Sequence, residues 1–136
     1  VGNTDTIGHN ANFTTFVNQA FNVLIPAGGT ERLRFPAEER LPVKVACNIH
    51  PWMGAWLVVK ETPYVGVSDQ SGRLEIKHLP VGTCPFQAWQ EKAGYVSELV
   101  QDGKPVKWAK GQFDFTIKPG ENDLGEIKLP ASLFAK

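Results

Sequence analysis

Apolar and polar residues alternate with period two along several short stretches of this chain, and glycine and proline punctuate them. Residues 113–118 are the cleanest such run. Residues 32–35, 43–47 and 73–79 show the same alternation, which predicts half-buried strands. In 43–47, Val43, Val45 and Cys47 share one face and Lys44 takes the other. Residues 55–59 are continuously apolar, as in a strand buried on both faces, and 64–68, 86–91 and 124–129 read as further strands. Turns are predicted at 26–29, 69–72, 80–83, 102–105 and 119–122, and Glu38, Glu39 and Arg40 read as a solvated bend. One stretch departs from this pattern. Phe13, Phe16, Val17, Ala20, Phe21 and Leu24 follow helical spacing, but the Asn- and Thr-rich segment around them limits a helix to a turn or two. Residues 1–12 read as a loop that carries His9 and Asn10.

Many short strands separated by turns predict an all-β sandwich fold. A composition change at Glu61, Thr62 and Pro63 predicts two units, 1–61 and 62–136. Fourteen basic and fourteen acidic residues cancel, and no basic cluster forms, which removes the electrostatic footprint of a nucleic-acid binder. No apolar run approaches the ~20 residues of a membrane span. The first five residues are polar and turn-like, without the pattern of a signal peptide. Asn12-Phe13-Thr14 fits a glycosylation acceptor, a short motif that often matches by chance. Asp69, Glu91 and Asp123 read as turn and surface carboxylates, and Trp89 and Trp108 as packing residues.

The stretch with candidate chemistry is Cys47-Asn48-Ile49-His50-Pro51-Trp52-Met53. A thiol, an imidazole and the chain's one thioether recur there at every third position, so a tight loop can aim all three at one centre. Pro51 stiffens the loop by fixing its own φ. Two imidazoles, a thiolate and a long axial methionine bond are the donor set of a blue-copper site. Zinc is a poorer match, because structural zinc sites use Cys and His without thioether. A second imidazole must come from His9 or His78, and His9 is the better candidate because it precedes the boundary at Pro63, as Cys47 does. Cys47 has two other readings: a buried strand thiol, or half of a disulfide with Cys84.

With Asn3-Thr4-Asp5-x-x-x-His9-Asn10 upstream, Cys47-x-x-His50-Pro51-Trp52-Met53 resembles the cupredoxins, and its short ligand loop is most similar to that of the amicyanins. The resemblance covers 1–60 and implies a Greek-key sandwich binding one copper ion through His9, Cys47, His50 and Met53. It further implies that Asn10 joins the two ligand loops by hydrogen bonds, with Asn48 and Pro51 also surrounding the ligands. Trp52 and Trp56 would provide an apolar surround for docking a redox partner. Only eight residues precede His9, so the sandwich is expected to lack the family's N-terminal strands. The later stretch from Val67 to Gly82 is similar to carboxypeptidase-regulatory or transthyretin-like β-sandwich modules, and the joint arrangement resembles secreted bacterial proteins that fuse the two.

What the resemblance implies is a type 1 copper protein in the periplasm or outside the cell. It would carry single electrons between redox partner proteins or within a larger complex. It would not be an enzyme, because the protein fills all four coordination positions. Two alternatives stand beside it: a non-redox structural or interaction subunit with a Cys47–Cys84 disulfide or a vestigial site, and a copper storage or delivery protein.

Overall fold

A computed structural model of the chain describes residues 1–135. Over the described residues the fold is all-β, with eleven strands in antiparallel sheets and one short 3₁₀ turn at Ala131–Phe134. The chain divides into two compact units, Val1–Val65 and Gly66–Lys136. Among the described residues, no helix is long and apolar enough to cross a membrane.

The first unit is one four-stranded sheet built from β1 (His9–Thr14), β2 (Phe21–Ile25), β3 (Val43–Ala46) and β4 (Gly54–Leu57), in the order β2-β1-β3-β4. Alternation along β1 puts His9, Ala11 and Phe13 on the buried face. Phe13 stands opposite Phe21 on β2 and Val45 on β3. Ala11, Phe13, Ile25 and Val43 form the core, backed by Phe21, Val23, Leu33, Phe35, Val45 and Leu57. The Phe13, Phe21 and Phe35 rings meet at centroid distances of 5.4–6.4 Å, two of the three contacts edge-on, as ring quadrupoles favour.

Several expectations need correction in this unit. His9 and Asn10 are not in a loop; they begin β1. Residues 13–24 hold no helical turn: β1 ends at Thr14, a bend follows, and β2 starts at Phe21. Residues 32–35 alternate in burial as predicted, with Leu33 and Phe35 turned to the core, but they pair with no strand. The apolar run after the ligand loop is an edge strand and mostly exposed, since β4 has a neighbour only at β3.

The largest surprise is Glu39, which is buried at 1% exposure instead of lying in a solvated bend. Its carboxylate accepts the backbone N–H groups of Phe16, Val17 and Asn18 and the Asn18 side-chain amide. Asn18 in turn donates to the Ala37 carbonyl and accepts the Ala37 N–H. The segment with helical spacing thus spends its N–H groups on a carboxylate, which competes with a helical ladder for the same donors. Burial pushes the Glu39 carboxyl up, but these donors outweigh it and bring it to about 2.

The second unit contains β5 (Gly82–Gln87), β6 (Trp89–Gln90), β7 (Gly94–Tyr95), β8 (Glu98–Gln101), β9 (Lys104–Lys107), β10 (Gln112–Ile117) and β11 (Ile127–Lys128). They form the sheets β10-β5, β11-β8-β9 and β6-β7. Val96, Leu99 and Trp108 are the core, with Trp108 stacked on Phe113 at 4.0 Å and Phe113 on Phe86 at 5.6 Å. Gly111, at φ 73°, lies so close to the Ala88 carbonyl that a side chain there would collide with it. The predicted turns at 69–72 and 102–105 form, and the 113–118 run is β10. The expected strands at 64–68 and 73–79 do not: Val67 and Leu74 stay exposed, so their alternation finds no layer to bury against.

Candidate metal centre

Two adjacent strands bring the candidate ligands together. His9 opens β1 on the buried face, and Cys47 directly follows β3 on the same face as Val43 and Val45. The β1–β3 register pairs Asn12 with Ala46, and continuing it sets Cys47 opposite Ala11, two residues from His9. His50 returns on the loop between β3 and β4. That loop is closed by Met53 N–H donating to the His50 carbonyl at 2.9 Å and Cys47 N–H donating to the Met53 carbonyl at 3.2 Å. Pro51 and Trp52 form its turn.

The three donor atoms make a tight triangle. Cys47 Sγ lies 3.8 Å from His9 Nδ1 and 3.7 Å from His50 Nδ1, and the two Nδ1 atoms are 2.9 Å apart. Such a triangle encloses a point about 2 Å from every corner, close to the metal–imidazole length of about 2.0 Å and somewhat short of the metal–thiolate length of about 2.3 Å. His9, Cys47 and His50 therefore form a group that could hold a metal ion. No ordinary core arrangement asks for two imidazoles and a thiol at this separation.

The surroundings fix each donor. His9, 9% exposed, has its far nitrogen Nε2 bonded to Asp5 Oδ2 at 2.9 Å. Asn10 Oδ1 accepts the backbone N–H of Asn48 at 2.7 Å and that of Ile49 at 3.4 Å, so one side chain on β1 grips the start of the ligand loop. Asn12 Nδ2 adds a bond to Asn48 Oδ1. Asn12, the apparent glycosylation acceptor, sits within β1 with its amide committed to this contact.

Electrostatics favour the thiolate. Burial pushes the Cys47 thiol up, but hydrogen bonds from the Asn10 and His50 backbone, from the His9 ring when both of its nitrogens carry protons, and from the His50 ring outweigh it and bring it down to about 6. His9 moves upward from its ordinary value: the bond with Cys47 raises it most, burial opposes, and the Asp5 carboxylate raises it further. A lowered thiol reduces the proton competition that a metal ion meets on binding.

Comparisons with known proteins find no matching family model, no matching curated protein and no matching solved structure.

Met53 lines a cleft of about 500 Å³ together with Asp5, His9, Asn10, Cys47 and Trp52. Trp52 is 80% exposed, and its ring lies 5.3 Å from that of His50. Trp56 is on the edge strand β4 and 39% exposed. His78 belongs to the second unit and is outside the His9–Cys47–His50 group. The alternative disulfide is not formed: Cys47 and Cys84 are both free thiols, and Cys47 Sγ faces imidazoles instead. Asp5 is part of the upstream pattern in the sequence but has no role assigned to it there; the folded loop sets its carboxylate against His9 Nε2.

Proposed function

We propose that the first unit is a cupredoxin-like type 1 copper centre that carries single electrons between partner proteins in the periplasm or outside the cell. The observation that carries this reading is the convergence of two Nδ1 atoms and one thiol sulfur, with the only methionine on the loop that closes the site. Copper held there would supply a one-electron Cu(II)/Cu(I) couple. His9 and His50 would offer the nitrogen donors that suit Cu(II), Cys47 the thiolate, and Met53 a thioether sulfur that suits Cu(I). Asn10 holds the β1 side and the loop side in register, which limits rearrangement between oxidation states. Trp52, exposed beside His50, offers an apolar surface for a partner. With four protein donors on the ion, no position would remain for a substrate, which supports transfer over catalysis. The second unit would act as a transthyretin-like β module attached to the carrier.

Adding one equivalent of Cu(II) to the reduced protein is expected to give an intense visible thiolate-to-copper band, which Cys47→Ser abolishes and Cys84→Ser leaves in place. A wild-type protein that shows no such band sinks the proposal.

Copper delivery is a second reading, favoured by the 39% exposure of Met53 and the cleft beside it. Fast electron self-exchange supports the carrier, and slow exchange with rapid loss of Cu(I) to a chelator supports delivery.

A further inference from the structure

We propose that Asp5 is a positioning residue of this centre, its carboxylate holding His9 in the tautomer that leaves Nδ1 bare and turned toward Cys47 and His50. The inference deepens the copper reading and rests on it for its metal-bound consequences. Asp5 Oδ2 lies 2.9 Å from His9 Nε2, and a carboxylate can only accept there, so Nε2 carries the proton. A neutral imidazole protonated at Nε2 has its lone pair at Nδ1, the atom 3.8 Å from Cys47 Sγ and 2.9 Å from His50 Nδ1.

Asp5 is placed by a built support and not by chance proximity on a loop. Its backbone N–H donates to Asn3 Oδ1 at 3.0 Å. Asn3 is 7% exposed, and its Nδ2 bonds the carbonyls of Ile7, Ile25 and Pro26 at 2.7–3.1 Å. A buried amide thus pins the 3–7 loop to the end of β2 and sets the carboxylate against the far edge of the His9 ring. The chain of contacts runs from Ile25 and Pro26 through Asn3 to Asp5, and then to His9 and the donor triangle. Fixing the ring and increasing its basicity is the work that carboxylates do behind metal-bound histidines. A negative charge one imidazole away also stabilises the more highly charged oxidation state, which lowers the reduction potential.

Two variants separate orientation from charge. Asp5→Asn keeps an oxygen that accepts from Nε2–H and removes the charge; Asp5→Ala removes both. Side-chain nitrogen NMR of the metal-free protein, at a pH where His9 is neutral, is expected to show the Nε2–H tautomer in wild type and Asp5→Asn and a mixture in Asp5→Ala. With copper, Asp5→Ala is expected to bind roughly 10–100-fold more weakly, and Asp5→Asn to keep the visible band at a higher reduction potential. An unchanged Nε2–H tautomer in Asp5→Ala overturns the proposal, as does an unchanged potential in Asp5→Asn. Should Asp5→Ala fail to fold, the potential of Asp5→Asn decides. The tautomer is read without metal, so a wild-type protein that binds no copper defeats the copper reading alone and leaves the NMR result to judge Asp5.

Discussion

Asn10 Oδ1 accepts the backbone N–H of Asn48 at 2.7 Å, joining the strand that carries one imidazole to the loop that carries the thiol and the other. The same residue donates from Nδ2 to Asn22 Oδ1 on β2, so a single amide spans three segments of the first unit. Its neighbour His9 cannot drift relative to Cys47 while that amide is in place. Backbone hydrogen bonds near Cys47 do a second job, drawing its pKa down against burial.

Replacing Asn10 with Ala therefore tests rigidity more than stability. The freed N–H of Asn48 is exposed and can turn to water, so the folding cost should stay near that of ordinary hydrogen bonds, roughly 0.5–1.5 kcal/mol each. Copper affinity should fall roughly 10–100-fold, as when other groups that orient metal ligands are removed. Competition with a chelator measures the affinity and urea unfolding measures the stability. A loss of stability with copper affinity intact would contradict this division.

Glu39 makes a prediction about acid. Its folded pKa of about 2 lies below the ordinary 4.5, so between those values the unfolded chain binds the extra proton and the folded protein does not. Stability from Glu39 is thus fully present above about pH 4.5 and is lost as pH falls through about 2. Asp69 is also lowered, through Ser71 and Arg73, so the wild-type acid slope is shared with the second unit. The difference between wild type and Glu39→Gln isolates the first unit. Denaturant midpoints of the two proteins should lie farthest apart above pH 5 and converge toward pH 2.

These two residues also mark how far the sequence could be read. The meeting of Cys47 and His50 was legible, because a thiol and an imidazole three residues apart on a tight loop can face one centre. His9 was legible only with the pattern around it, and its place on β1 was not, since Asn- and Thr-rich segments resemble loops. Glu39 was misread because acidic residues are almost never fully buried unless paired. Its partners are backbone N–H groups 21 to 23 residues away, which no local pattern announces. The same carboxylate explains the failed helical reading of 13–24. The unrealised strands at 64–68 and 73–79 have another cause: period two fixes which faces differ, but not whether a second layer covers one of them.

The thiol of metal-free Cys47 should titrate far below an ordinary cysteine. In Cys84→Ser protein only Cys47 contributes, and its ultraviolet thiolate absorbance should appear as pH rises through about 6. A midpoint at the ordinary 9.0 would mean that the bonds from Asn10, His9 and His50 do not outweigh burial. Because the folded value is the depressed one, the stabilisation is complete above about pH 9 and is lost as pH falls through about 6.

Phe13 and Trp52 separate the two uses of aromatic residues in the first unit. Phe13 is 3% exposed and touches both the Phe21 and Phe35 rings, so Phe13→Ala opens a cavity and should cost about 3–5 kcal/mol. Trp52 is 80% exposed, and Trp52→Ala should change stability by no more than about 0.5 kcal/mol. If Trp52 serves docking beside His50, its removal should slow electron self-exchange of the copper-loaded protein while the visible band and unfolding midpoint stay where they were. Phe13→Ala should do the reverse, moving the unfolding midpoint and leaving exchange of the remaining folded protein nearly unchanged. Line broadening in mixed oxidation states measures exchange, and denaturant titration measures stability, on the same samples. Equal effects of both variants on both readouts would remove the distinction between a core ring and a docking ring on which the proposed role of Trp52 depends.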